Sequence, residues 1–224
     1  MSTRTATVIG ATGLIGNNLL QLLANDDTYD IIRLLVRRPI EKTTPKTVVK
    51  LIDFSDYESF RLGIEGSDVV FCAVGTTQKK VKGDKAAYRR IDFDIPVKAA
   101  RICRDAGCEK FILVSAIGAS NKSSNFYLQL KGEVEDAVKN AGVRSVHIMQ
   151  PSILLGERQE FRRGEKIAQS TMKALSFLLA GNLQKYKPVH AWEVAAAMLA
   201  CSKKDEPGFF IHSYKEMKML AKAE

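Results

Sequence analysis

The chain has 224 residues, a length suited to one domain with at most a small appendage. Its 46% hydrophobic fraction is ample for a buried core and excludes a disordered chain, and no apolar run approaches the ~20 residues of a membrane span. The net charge is +9, but the cations are scattered in short clusters (Arg37–Arg38, Gln78–Lys82, Arg89–Arg90, Arg162–Arg163) without a recognition helix, zinc spacing or aromatic RNA platform. An anionic small ligand and a solvated surface account for that charge, and no nucleic-acid partner is expected.

Thr5–Gly10 reads as a short apolar strand, followed by a glycine turn and a helix through Leu23. Asp30–Val36 is a second strand of the fully buried kind, and Thr47–Ile52 a weaker third after Pro45. A fourth strand spans Asp68–Val74, and a helical stretch runs from Lys85 to Ala106, kinked or restarted at Pro96. Lys110–Ser115 is the fifth strand, Asn125–Asn140 a helix ended by Gly142, and Val143–Met149 the sixth strand. Beyond Pro151 the spacing predicts a loop, helices at Glu165–Leu179 and Trp192–Cys201, and a short strand at Phe209–His212. Alternating strands and helices imply an α/β fold of the Rossmann type, a doubly wound parallel sheet. Residues 1–224 form one such domain in this reading, with 151–224 a small C-terminal segment on the substrate side.

The four cysteines (Cys72, Cys103, Cys108 and Cys201) lie in apolar or helical contexts without CxxC or His-paired spacing. Reduced, buried thiols and no metal are expected. The N-terminal residues lead straight into a strand and lack a signal-peptide pattern, so a cytoplasmic address is expected.

The segment Gly10-Ala-Thr12-Gly13-Leu14-Ile15-Gly16 carries the strongest chemical signal. A strand that turns sharply into a helix there lets a pyrophosphate approach the backbone and the helix N-terminus. Its place after the first strand, opening a βαβ series, supplies the context that such a glycine trio needs. Where an acidic residue would bind the ribose of NAD, this chain has Arg37 and Arg38, whose guanidinium groups suit a 2′-phosphate. The expected cofactor is therefore NADP(H). Asp53, beside Phe54, is placed toward the adenine, and Gly75 and Thr76 along the dinucleotide.

Tyr127 and Lys131 stand four apart on a predicted helix and share a face, while Ser115 ends the fifth strand, where such sheets bind ligands. Reduction of a carbonyl needs a proton donor. A tyrosine, with an ordinary pKa near ~10, needs a neighbouring cation to serve near neutrality. Lys131 supplies that cation and a bond to the nicotinamide ribose, and Ser115 holds the substrate oxygen.

At these residues the chain resembles the atypical branch of the short-chain dehydrogenase/reductase superfamily. Within that branch it is similar to the Tat-interacting protein (oxidoreductase-like) family. The likeness is carried by the stretches Ser115–Glu135 and Pro151–Glu165. The resemblance implies that Ser115, Tyr127 and Lys131 are the catalytic set and that Pro151, Ser152 and Ile153 pass beside the nicotinamide. Many superfamily members carry an asparagine on the helix before the fifth strand, where this chain offers Asp92. The function expected is an NADP(H)-dependent oxidoreductase acting on a small carbonyl or alcohol. Two alternatives stand beside it: an NADP(H)-binding regulatory or interaction protein, using the charged Glu157–Lys166 surface for a protein partner or a second copy, and a sugar-nucleotide epimerase-like enzyme.

Overall fold

A computed structural model describes residues 3–41, 44–77, 80–156 and 181–223. Seven strands form one parallel sheet in the order β3-β2-β1-β4-β5-β6-β9: β1 (Thr5–Ile9), β2 (Ile31–Val36), β3 (Thr47–Leu51), β4 (Val69–Cys72), β5 (Lys110–Val114), β6 (Ser145–Met149) and β9 (Gly208–His212). A short parallel pair, β7 (Leu154–Leu155) and β8 (Val189–His190), stands apart from it. The inner strands are apolar on both faces because helices cover both sides, which is why they lack alternation.

On one side α1 (Leu14–Asn25) and α6 (Ala191–Lys203) pack Leu19, Leu23, Val194 and Met198 against Val8, Leu34 and Phe71. On the other, α2 (Tyr57–Ile64), α4 (Ile95–Asp105) and α5 (Phe126–Lys139) pack Phe60, Ile102 and Val134 against Ile9, Val70 and Phe111. The doubly wound parallel sheet expected from the sequence is present. The strand order reverses between β1 and β4, and such a switch point opens a crevice at the strands' carboxyl ends.

The helical stretch before β5 is not one kinked helix. It divides into α3 (Lys85–Arg89), a π-helical turn (Arg90–Asp94) and α4, with Pro96 in the first turn of α4. The backbone stays helical from Arg89 through Ile95, so this proline lies inside a continuous helical run, just past the widened π turn. Two α-helices among the described residues were not anticipated: α2, capped by the Asp56 carboxylate accepting from Glu58 N–H at 3.1 Å, and α7 (Tyr214–Leu220), capped by Ser213 and Glu216. The Ser-x-x-Glu spacing of the second is a legible capping signal. The predicted Glu165–Leu179 helix and the charged Glu157–Lys166 segment lie outside the described residues.

Candidate dinucleotide and catalytic site

The turn between β1 and α1 is built for glycine at two positions. Gly10 has φ +90°, and a Cβ there would lie 2.7 Å from the Ala73 carbonyl group at the end of β4. At Gly16 a Cβ would stand 2.1 Å from the Gly10 oxygen, so α1 can seat this closely on β1 only without a side chain. Gly13 differs: its φ of −78° is ordinary, it is exposed, and it forms the N-cap of α1. No side chain caps that helix end, which leaves the amides of the first turn, from Leu14 and Ile15, for an anion. Thr12 is exposed beside them. These residues fit the pyrophosphate of a dinucleotide.

Gly13→Val is therefore expected to leave the fold intact while abolishing dinucleotide binding, because its methyl groups occupy the phosphate approach. Gly16→Ala is expected to destabilise the fold itself by about 1–3 kcal/mol, the usual cost of an overpacked contact. Cofactor titration and thermal melting of both variants separate the effects. Undiminished affinity in Gly13→Val would move the phosphate site elsewhere.

A cavity of about 550 Å³ is lined by Arg37, Leu51, Asp53, Phe54, Arg90 and Lys98, among others. Arg37 and Arg38 are both exposed, and of the two Arg37 lines the cavity. The Asp53 carboxylate closes a local turn, accepting from Ser55 N–H at 2.8 Å and Ser55 O–H at 2.6 Å. Arg90 and Lys98 were not foreseen. They reach this cavity from the π-helical turn and α4, and the extra residue of a π turn rotates the helix face away from any regular spacing.

Lys131 is 5% exposed and its ammonium pairs with the Asp92 carboxylate at 3.1 Å. Asp92, 1% exposed, sits in the π turn and also accepts from Thr76 N–H at 2.8 Å, pinning the loop after β4. A Cβ on Gly75 in that loop would lie 3.5 Å from Asp92 Oδ1. The Lys131 ammonium lies 5.9 Å from the Tyr127 ring centre, with Tyr127 itself 36% exposed.

Burial pulls the Lys131 pKa down, but the Asp92 charge, Tyr127 and the Asp92 hydrogen bond outweigh it, and the ammonium is held above its ordinary value. Burial also pushes the Tyr127 phenol up; Lys131 opposes this and Asp92 reinforces it. Lys131 does exert the expected downward pull on the tyrosine, but the net direction is upward, because desolvation prevails and Asp92 adds to it.

The Ser115 side chain is buried and donates its hydroxyl proton to Glu135 Oε1, one helical turn beyond Lys131 on α5. Glu135 also accepts from Gln150 Nε2 at 2.9 and 3.0 Å. Burial raises the Glu135 pKa against these two hydrogen bonds. Glu135 and Gln150 were not foreseen as partners, although the spacing of Tyr127, Lys131 and Glu135 along one helix face was a legible signal. Pro151 is buried, Ser152 bonds the Lys187 carbonyl, and Ile153 is exposed and joins Val189 through its backbone oxygen at 3.0 Å.

The family model described as NAD(P)H-binding matches residues 10–204. Rat protein HTATIP2 is 32% identical over 178 residues, covering 78% of this chain and 73% of the rat protein. The chain belongs to this NAD(P)H-binding family, as an atypical short-chain dehydrogenase/reductase of the HTATIP2 type. A second relative, "Protein FMP52, mitochondrial" of Debaryomyces hansenii, is 31% identical over 85% of this chain and 84% of its own length. The same fold occurs in MoeE5 in complex with UDP-glucose and NAD, with TM-score 0.70, 16% identity and coverage of 98% of this chain and 81% of that one. It occurs also in UDP-glucose 4-epimerase of Thermotoga maritima, with TM-score 0.68, 14% identity and coverage of 98% and 82%.

The cytoplasmic address expected from the sequence is corrected by these relatives, since the FMP52 proteins of D. hansenii, Candida albicans and Aspergillus niger are all named mitochondrial. The expectation rested on a missing signal-peptide pattern, which addresses secretion alone. Among the described residues, no helix is long and apolar enough to cross a membrane.

Proposed function

We propose that this NAD(P)H-binding protein is an NADP(H)-dependent oxidoreductase that interconverts a small carbonyl and its alcohol. The observation that carries this reading is the convergence of Tyr127, Lys131 and Asp92 at the crevice whose other end is the glycine turn. The nicotinamide supplies or accepts the hydride when bound. Tyr127 O–H gives the proton to the developing alkoxide. Lys131 stabilises the phenolate left behind and bonds the nicotinamide ribose, with Asp92 fixing its ammonium. The Ser115 hydroxyl proton is committed to Glu135, so its oxygen keeps lone pairs to accept a bond from a substrate hydroxyl. Pro151, Ser152 and Ile153 border the nicotinamide end, and the names of the fungal relatives favour a mitochondrial address.

The preference for the 2′-phosphate rests on Arg37 and Arg38; Arg37 lines the cavity with Arg90, Lys98 and the carboxylates of Asp53 and Asp94. NADPH is expected to bind about tenfold or more tightly than NADH, as one charged hydrogen bond is worth about 1.5–3 kcal/mol. In an Arg37→Ala/Arg38→Ala variant that preference should vanish while NADH affinity holds. Parallel titrations of both cofactors test this, and equal affinities in the wild type would refute it.

A second reading, a dinucleotide-binding regulator without turnover, is favoured by one observation. The Lys131 charge is already neutralised by Asp92, and the Tyr127 phenol is pushed up rather than down.

A further inference from the structure

Away from the crevice, under the last strand of the sheet, two imidazoles and a thiol meet in a buried layer. His147 on β6 and His212 on β9 are 0% and 8% exposed, and Cys201 on α6 is 0% exposed. The His147 Nδ1 to His212 Nε2 distance is 2.9 Å, and Cys201 Sγ lies 3.6 Å from the same His212 nitrogen. One ligating atom from each of the three residues falls within 4.8 Å of the others. We propose that His147, Cys201 and His212 form a metal-binding site, and that its ion is monovalent copper.

Three features beyond proximity support a site rather than a polar accident. First, the His147 ring is aimed. Its far nitrogen, Nε2, is 3.2 Å from Ser145 Oγ, and the ring stacks on Phe210 at a centroid distance of 4.9 Å. A hydrogen bond at one imidazole nitrogen is how proteins orient the other toward a metal. Second, the three donors stand on regular elements, β6, β9 and α6, which hold them together without relying on loops. Third, an access route exists. His212 lines a cavity of about 540 Å³ with Lys204, Phe209, Phe210, Glu216 and Met219.

Charge selects the ion. Cys201 binds a metal through its thiolate, so the thiol proton must leave when the ion enters. Monovalent copper replaces that proton one for one: the S–H proton leaves to solvent, a Cu–S bond forms, and the buried site stays neutral. Zinc with the same three donors would leave one net positive charge in the buried layer. Thiolate and imidazole are also the donor types that soft copper favours, and the described cluster offers three of them, enough for a trigonal site. The sequence hides this arrangement because the three residues come from three separate elements, joined by the parallel pairing of β6 with β9.

The test is an anaerobic competition for copper held in its bicinchoninate complex. Cys103 and Cys108 are replaced by Ala in the background, because both thiols lie near the Lys110 carbonyl and form a second soft pair. The parent protein is expected to withdraw one equivalent of copper from the chelator. Cys201→Ser and His147→Phe should weaken binding by about 100-fold or more, and Ser145→Ala by about tenfold through the misaimed ring. Ser145→Ala removes only a hydroxyl and keeps the test valid if a ligand variant fails to fold. X-ray absorption at the copper edge should show two nitrogens and one sulfur. Copper left entirely with the chelator, affinity unaffected by Cys201→Ser and Ser145→Ala, or tight binding of zinc with none of copper would each overturn the proposal.

Discussion

Tyr127→Phe is expected to lower NADPH-dependent turnover by roughly 10²–10⁴-fold, the usual worth of a general acid, while NADPH affinity stays close to wild type. The ring remains near the Lys131 ammonium, so the phenylalanine keeps the shape and loses only the proton. Lys131→Ala is expected to damage turnover and cofactor binding together, because the proposal assigns it both duties. The measurement is NADPH oxidation over a panel of small aldehydes, ketones and quinones, alongside cofactor titration of each variant. Wild-type protein that binds NADPH yet oxidises none on any of them would count against the catalytic assignment. Equal turnover by Tyr127→Phe on the best substrate would remove the tyrosine from the mechanism.

The Asp92–Lys131 pair governs stability as well. Asp92→Ala is expected to destabilise the fold by about 3–5 kcal/mol, since it leaves a buried ammonium without its counter-charge. Replacing both partners, as in Asp92→Leu/Lys131→Met, should recover most of that loss, because two apolar groups carry no desolvation penalty. Urea unfolding measures both, and a cost below about 1 kcal/mol for Asp92→Ala would make the pair no better than a surface contact.

The pH dependence has a sign. In the wild type, Lys131 is held above its ordinary pKa, so its contribution is complete below the unfolded value and is lost as pH rises through the folded one. Without Asp92, burial depresses that pKa, and the variant gains stability as pH rises toward the unfolded value of ~10.4. The gap between wild type and Asp92→Ala should therefore narrow at alkaline pH, and a gap that widens there would contradict the assigned pairing.

The local chemistry was legible in the sequence. The glycine turn between β1 and α1, the helix that begins beside Asn125 and the four-residue step from Tyr127 to Lys131 depend on neighbours in the chain, so residue type and spacing encode them. The alternation of apolar strands with helices determined the doubly wound sheet for the same reason. The short α2 was missed although Asp56 and Glu58 mark its start, because eight residues give too little periodicity to stand out.

What the tertiary structure alone decided is where distant side chains meet. The π turn at Arg90–Asp94 adds a residue to a helix without any punctuating Gly or Pro inside it, and so turns Asp92 inward to Lys131 and brings Arg90 to the cavity lined by Arg37 and Asp53. The commitment of Ser115 to Glu135 and Gln150, and the convergence of His147, Cys201 and His212, arise from packing between elements far apart in sequence. Spacing along a chain specifies which face of one element a residue occupies. The partner across the sheet, and with it the net direction of a buried pKa, is set by how the elements close against one another.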